Sequence, residues 1–354
     1  MVTFALELTR ALLERGGGHR FVVFCSRERP EALAGADAEF VLSPHRHEVA
    51  QKLLWLPFVE AGADLDAVLY PYWPSPPFRR FGAPPALVFV HDLAFRVRPR
   101  EVPWQQRVYL GTLLPRALHG AAAVLVPSQA TRSDLLRHYG SYQALAPKLQ
   151  VVPEAATPLP APGRLPPKLR PGFLLAVGTV EPRKNYPRLL AAYRLLRLRK
   201  DVPLVVAGRP GWAYGSAVDE LRSQPGVVFL GHVDDATLAA LYAGAAGLAF
   251  PSLYEGFGLP LLEAMERGLP ALIGNRGSLP ELAAGAALDV DPENVPAIAA
   301  GLERILVDRG LRRRLTAAGR KRAASYTWGR AADSVLSVLV AAARKEAAPA
   351  PVTL

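Results

Sequence analysis

The sequence predicts an α/β protein built as two parallel-sheet domains, and three observations carry that prediction. Short apolar runs alternate with helical patterns through both halves, the mark of a parallel sheet with helices on both faces. Seven prolines and almost no periodicity fall between 153 and 171, which places a linker there. A length of 354 residues with a 50% hydrophobic share is enough for two buried cores.

In the first half the runs fall at 21–24, 67–70, 86–90, 122–126 and 149–152. In the second they fall at 173–177, 204–207, 227–230, 248–250 and 271–273. Ahead of the first run, Met1-Val2-Thr3-Phe4-Ala5-Leu6-Glu7-Leu8 reads as a helix and Gly16-Gly17-Gly18 as its terminator, the reverse of a dinucleotide fingerprint. Cys25 closes the first run as a buried thiol without a disulfide partner, which fits a cytoplasmic chain. Glu7 and Arg10 argue against a signal peptide, and no run approaches the ~20 apolar residues of a membrane span. Residues 335–343 are apolar but few, and read as a packed helix.

Lys and Arg number 42 against 31 acids, a net charge of +11 that suits nucleic acid, an anionic membrane face or a phosphorylated substrate. The basic residues are scattered, with neither a zinc-finger spacing nor a basic stripe interleaved with aromatics, so nucleic acid is disfavoured. Asp64-Leu65-Asp66 and Asp289-Val290-Asp291 have an Asp-x-Asp form, which is too short and common to imply a metal, and no metal site is expected. No strand is followed by Gly-x-Gly-x-x-Gly, which disfavours a nicotinamide-dependent oxidoreductase.

The most informative stretch runs from Pro251 to Met265. Leu248, Ala249 and Phe250 end a buried strand, and Pro260 suits the first turn of a helix. Gly256 and Gly258 therefore lie between strand end and helix start, where backbone amides attract anions and a missing Cβ lets a diphosphate approach. Glu255 falls on the loop and Glu263 inside the helix. Like charges repel, so beside a diphosphate the natural partners of these carboxylates are sugar hydroxyls. The plainer alternative is a helix start, where the macrodipole favours glutamate.

Arg183 and Lys184, after the run at 173–177, offer cations to a leaving diphosphate or form a solvated pair at a helix start. His91 and Asp92 directly follow the run at 86–90, as acid–base machinery or as a hydrogen-bonded loop anchor. Gly208-Arg209-Pro210-Gly211-Trp212 borders a nucleotide or merely turns the chain. Ser278-Leu279-Pro280-Glu281 reads as a capping box.

Glu255 and Glu263 stand in a Glu-x7-Glu spacing that resembles the signature of retaining family 4 glycosyltransferases, and other pieces match that family in order from about Phe4 to Trp328. His91-Asp92-Leu93 is similar to the family's amino-domain active-site loop. Val177-Gly178-Thr179-Val180-Glu181-Pro182-Arg183-Lys184-Asn185 resembles its phosphate-binding turn. Gly231-His232-Val233 with Leu238-Ala239-Ala240-Leu241-Tyr242 is similar to its base-side turn and the following helix. Ser278-Leu279-Pro280-Glu281 and Tyr326-Thr327-Trp328 resemble a branch that includes O-antigen mannosyltransferases.

The resemblance implies the α/β fold called GT-B, two Rossmann-like parallel-sheet domains facing a central cleft. It implies an acceptor-side domain at 1–160, shortened at its amino terminus, a nucleotide-sugar-binding domain at 161–326, and a helix at 327–345 returning to the first. It further implies transfer of a hexose, mannose from GDP-mannose on the pattern of the branch, with retained configuration. The partners are a nucleoside diphosphate sugar and a glycan or lipid-linked acceptor, with no cofactor and no metal, in polysaccharide biosynthesis.

By the same resemblance His91, Glu255, Arg183 and Lys184 are catalytic. Gly178, Thr179, Gly208, Val233, Gly256, Phe257, Gly258, Leu259 and Glu263 bind the donor, with Glu263 on the ribose, and Asp92 and Arg96 lie on the acceptor side. No carboxylate nucleophile emerges, so a front-face departure with an oxocarbenium-like transition state is expected. Trp73, Phe78, Arg79, Arg80, Arg96, Arg98 and Arg100 lie in amino-domain loops. They suit a lipid-linked diphosphate glycan at the anionic inner face of the plasma membrane, or are ordinary exposed loops.

Three positions depart from the family pattern. Thr179 stands where relatives often have arginine, so Arg183 is expected to substitute. Val152-Pro153-Glu154-Ala155-Ala156 replaces a glycine and a small polar turn, which bears on hinge geometry more than on chemistry. Relatives open on a strand and a glycine-rich loop, whereas this chain opens on the helix pattern of residues 1–8. That departure motivates the alternative of a truncated, non-catalytic nucleotide-sugar-binding or partner subunit.

Overall fold

The computed structural model describes residues 2–26, 28–47, 50–72, 75–76, 78–141, 145–211 and 215–346, so the candidates Trp73 and Trp212 lie outside the described residues. The chain divides into two compact units. Unit 1 comprises Met1–Val97, Trp104–Ala155 and Thr327–Leu354, and unit 2 comprises Arg98–Pro103 and Ala156–Tyr326. The proline-rich stretch 152–172 holds no helix or strand, because each proline withholds the N–H that a ladder or helix would use.

In unit 1, β1 (Val22–Cys25) pairs in parallel with β2 (Glu39–Leu42). A separate parallel sheet has the order β3 (Val68–Tyr70), β4 (Ala86–Phe89), β5 (Ala123–Val126) and β6 (Leu149–Val151). The alternation of runs predicts a single sheet here, and the structure has two, with β1 apart from the rest. β2 escapes sequence reading because its apolar core is only Phe40-Val41-Leu42, behind an acid. The helix Val2–Arg15 buries Phe4, Leu8 and Leu12 against Leu87, Phe89 and Leu125 of the larger sheet and against Ala332, Val335 and Val338. Those last three lie on the helix Trp328–Ala343, started by Thr327, whose side chain accepts from the Arg330 N–H. Arg15 Nη2 lies 2.6 Å from Asp333 Oδ2 and fixes the register of the two helices. Among the described residues no helix is long and apolar enough to cross a membrane.

Unit 2 holds a six-stranded parallel sheet. In chain order its strands are β7 (Phe173–Val177), β8 (Leu204–Ala207), β9 (Val227–Gly231), β10 (Ala245–Phe250), β11 (Ala271–Gly274) and β12 (Leu288–Val290). Their spatial order is β12-β11-β10-β7-β8-β9, that of a doubly wound Rossmann-like sheet. Side chains alternate between faces: Phe173, Leu175, Phe250 and Ile273 enter one core, and Leu174, Ala176, Val206 and Leu272 the other. Cover on both faces is why these strands read as unbroken apolar runs. β12 is too short and too acidic to be read that way, and it absorbs one of the two Asp-x-Asp matches as an edge strand.

Leu8 is fully buried between sheet and helix in unit 1. Leu8→Ala should cost about 2–5 kcal/mol through the cavity it leaves, read as a lower urea midpoint for unit 1 with unit 2 unchanged.

Candidate active site

In unit 2, β7 and β10 are neighbours, so their carboxyl ends open side by side, each into a turn. The turn after β7 carries Arg183 and Lys184 on a short 3-10 turn, Pro182–Lys184. The turn after β10 carries Glu255 and leads into the helix Leu259–Glu266, with Pro260 in its first turn. Glu255 receives both cations: Arg183 Nη1 lies 2.6 Å from Oε2, and Lys184 Nζ lies 2.6 Å from Oε1. Arg183 Nη2 also lies 2.6 Å from Glu181 Oε1. Burial alone would push the Glu255 carboxyl up, but Lys184 and Arg183 outweigh it and hold the group below the usual carboxylate range. Glu255 lies on the loop, as the sequence predicts, and there it pairs with both cations. Two half-buried cations need anionic partners, and buried Glu255 and Glu181 supply them.

The backbone around this cluster is fixed by close packing. Gly178 has φ 137°, and a Cβ there would stand 3.2 Å from Lys184 Cε. A Cβ on Gly208 would stand 1.9 Å from the Gly178 carbonyl oxygen, so glycine there lets two strand ends approach. Thr179 is half-buried beside Gly178. Val233 is half-buried against the core at the end of β9, just ahead of the helix-capping Asp234. Gly258 has φ 111° at the helix start and Gly256 is buried. The Phe257 side chain turns into the core, edge-on to Tyr326 at 5.8 Å, so only its backbone is available to a donor. Leu259 opens the helix, half-buried.

Two residues set this geometry through partners that the sequence does not show. Asn185 adopts a left-handed conformation, φ 64°, and its Nδ2 donates to the carbonyls of Pro251 at 3.0 Å and Pro292 at 2.6 Å. It thereby ties the first turn to the second. Ser278 makes no capping bond to its helix, which corrects the capping-box reading. Its hydroxyl instead lies 3.0 Å from the Glu255 carbonyl oxygen and 2.7 Å from that of Phe257, bracing the loop from behind.

Glu263 sits one turn into the helix, buried, and accepts from the Tyr242 hydroxyl at 2.7 Å. Burial pushes its carboxyl up, with hydrogen bonds from Tyr242 and Thr157 offsetting only part of the rise. No group of three His, Cys, Asp or Glu among the described residues is placed to hold a metal ion.

In unit 1, His91 lies just beyond β4, stacked on Phe89 and edge-on to Phe4, both at 4.6 Å. Its Nδ1 is 2.8 Å from Glu154 Oε1 and its Nε2 is 2.9 Å from the Pro71 carbonyl oxygen. Glu154, only 5% exposed, therefore bears on the chemistry of the histidine, and its assignment to hinge geometry is corrected. Asp92 Oδ1 accepts from the Ala94 N–H at 2.9 Å and orients the loop. Arg96, itself exposed, donates from Nε to the Tyr139 hydroxyl at 2.8 Å, and Arg79 Nε donates to buried Glu60 at 2.8 Å. Arg98 pairs with Glu101. Of the loop residues proposed for a membrane or lipid-linked acceptor, Phe78, Arg80, Arg96 and Arg100 are exposed.

Two tests follow from this geometry. Asn185→Ala loses both carbonyl bonds and strains a left-handed position, and should cost about 2–4 kcal/mol. Asn185→Gly, which removes the strain alone, should recover only part of that in urea melts. The second test concerns Glu263. An acid raised above its unfolded value holds its proton more tightly when folded, so stability is full below about pH 4.5 and falls as pH rises through the folded value. Glu263→Gln should therefore raise the melting midpoint by about 2–4 °C at neutral pH and leave it unchanged in acid. Equal shifts at both pH values would contradict this.

Known proteins resemble the chain in both halves. The model of the family described as Glycosyl transferases group 1 matches residues 162–322, and that of Glycosyltransferase Family 4 matches residues 1–155. The O-antigen chain mannosyltransferase B of Escherichia coli is 34% identical over 256 residues, covering 69% of this chain and 67% of that protein. The serotype-specific mannosyltransferase WbdA of Escherichia coli is 36% identical over 173 residues, or 45% of this chain and 20% of that protein. Among solved structures, HepE from Anabaena, with UDP and glucose, superposes with a TM-score of 0.72 at 17% identity over 95% of both chains. WaaG, a glycosyltransferase involved in lipopolysaccharide biosynthesis, gives 0.70 at 18% over 95% of both. Both structures attest the fold alone, and with the sequence matches to either half they establish that this chain is a glycosyltransferase of family 4, built on the GT-B fold.

Proposed function

We propose that the chain is a retaining, metal-independent hexosyltransferase that moves mannose from GDP-mannose to a glycan or lipid-linked glycan. The observation that carries the reading is the pairing of Arg183 and Lys184 with Glu255 at the carboxyl ends of β7 and β10, beside a helix start. Two fixed cations and the positive end of a helix suit a diphosphate that gains charge as it leaves. The mannosyltransferase names of the relatives support the choice of donor.

On this reading the donor diphosphate takes the two cations from Glu255, whose carboxylate then turns to sugar hydroxyls. The backbone of Gly256, Phe257, Gly258 and Leu259 meets phosphate and sugar oxygens, and Glu263 accepts from the ribose. The anomeric carbon–oxygen bond breaks towards the diphosphate, and the acceptor hydroxyl attacks the same face. Its proton passes to the departing phosphate oxygen. Exposed Phe78 and Arg80 suit an anionic interface, which supports an acceptor at the inner face of the plasma membrane.

The test is nucleotide release from a panel of nucleoside diphosphate sugars in the presence of EDTA. Release of GDP from GDP-mannose is expected, abolished in Glu255→Ala and slowed at least about 100-fold in Lys184→Ala, the usual effect of removing one charge-stabilising donor. Release only from a UDP-sugar would replace the donor, a need for added divalent metal would remove the metal-independent step, and an inverted product would remove retention.

A further inference from the structure

Much of the chain's positive charge gathers on one element of unit 2. The helix Arg309–Ala323 carries seven Arg and Lys and no acid, in a chain whose net charge is +11. Its inner side packs on the helix Leu259–Glu266, with Leu311, Leu315, Gly319 and Ala323 buried and Gly319 close against Met265. Arg322 also turns inward, its Nε donating to the Leu282 carbonyl at 3.0 Å and its guanidinium lying over the Tyr326 ring. Arg309, Arg313, Arg314, Arg320 and Lys321 are left exposed. At about 100° per residue they share an arc of about 140°, spread over about 18 Å of helix. Gly310 and Ala317, exposed among them, are too short to shield them from a flat surface.

Nothing in the helix itself requires this charge. The macrodipole disfavours cations at a helix N-terminus, yet Arg309, Arg312 and Arg313 fall in the first two turns, with the capping Asp308 beside them. Arg309 and Arg313 stand one turn apart, a spacing at which like charges repel. On other helices an exposed cation meets an acid, as Arg10 meets Glu7 and Arg194 meets Glu220. Here none of the five forms an ion pair among the described residues. Fixed, mutually repelling cations on one side of a helix are complementary to an anionic surface.

The composition of the face selects the kind of surface. It has no aromatic ring to stack on bases and no exposed amide or hydroxyl to read their edges. Thr316 is half-buried and donates to the Gly268 carbonyl at 2.8 Å. The face also lacks the large apolar side chains that form the core of a protein interface. Charge without a fixed register suits a fluid array of headgroups, whose anions gather beneath the cations.

We propose that the exposed face of the helix Arg309–Ala323 docks unit 2 on the anionic headgroups of a bilayer, lying parallel to the membrane plane without inserting. This surface is distinct in the chain from Phe78 and Arg80 of unit 1. It stands on its own charges and does not rest on the transferase reading.

The test floats the full chain with vesicles of phosphatidylcholine alone, or with about a third phosphatidylglycerol, at low salt. Binding is expected to the anionic vesicles only, and is lost as salt is raised. Arg313→Gln with Arg314→Gln should weaken it at least about tenfold, whereas Arg313→Lys with Arg314→Lys should keep it. Arg197→Gln with Lys200→Gln removes the same charge from an exposed turn of the same unit, and should change binding by less than about twofold. Both Gln pairs touch only surface side chains, which leaves the core intact. No flotation with anionic vesicles, equal binding to neutral ones, or an equal loss in the two Gln pairs would overturn the proposal. So would parent-level binding in the helix pair with loss in Phe78→Ser plus Arg80→Gln, which would leave the membrane to the unit 1 loop. Duplex DNA displacing the vesicles at equal phosphate would give the face to nucleic acid and overturn it too.

Discussion

The carboxylate of Glu255, gripped by Arg183 and Lys184, joins the two turns on which the candidate active site is built. Each turn hangs from a different strand, and without a charge on one to meet the charges on the other they would be held by Asn185, by the Leu253 N–H donating to the Arg183 carbonyl at 2.7 Å, and by the packing beneath. The cluster is a poor source of stability, since desolvating two cations and two carboxylates offsets most of their attraction. Breaking it is a different matter, because removing one partner leaves a buried charge exposed to no counter-ion, at a cost of about 3–5 kcal/mol. What the cluster provides is placement. The guanidinium and ammonium are fixed before any substrate arrives, and an arriving diphosphate finds the same chemistry that the carboxylate already satisfies.

The position of the cluster follows from topology. From β7 the sheet grows through β8 and β9 on one side and through β10, β11 and β12 on the other. At such a reversal the connections leave towards opposite faces, which opens a crevice beyond the strand ends. The glycines there serve contact between backbones: Gly208 under Gly178, and Gly277, where a Cβ would meet the Glu255 carbonyl oxygen at 2.8 Å. Ser278 then uses its hydroxyl on the same loop. The glycine that lets the chain approach and the serine that holds it are consecutive, and together they fix where the Glu255 side chain begins.

Most strand positions, the helix start at Pro260 and the grouping of Gly256, Gly258, Glu255, Arg183 and Lys184 were legible in the sequence because each depends on local chemistry or on a short period. The partnerships were not. Ser278 reads as a cap because Ser-x-x-Glu is chemically a capping box, and only a loop lying 23 positions earlier diverts it. Glu154 and His91 are 63 residues apart, and Arg79 meets Glu60 across 19. A single sequence holds no signal for such pairings, since a buried arginine beside a buried glutamate has the same composition as two exposed ones. Short polar strands fail for a related reason: β2 and β12 gain their pairing from neighbours, not from their own pattern.

The histidine illustrates how far geometry constrains chemistry once the partner is known. A carbonyl oxygen only accepts, so the 2.9 Å contact with Pro71 places a hydrogen on Nε2. Nδ1 then faces Glu154 across 2.8 Å with one proton between them, since two lone pairs at that distance would repel. The pair is therefore neutral as a whole, whichever partner holds the proton, and it can sit among Phe4 and Phe89 without the cost of an isolated buried charge. It also means that the ring cannot meet a substrate while the Pro71 carbonyl holds Nε2. Any role in sugar transfer must begin with a shift of the Pro71 loop or of the ring, with Glu154 as the pivot that keeps Nδ1 in place.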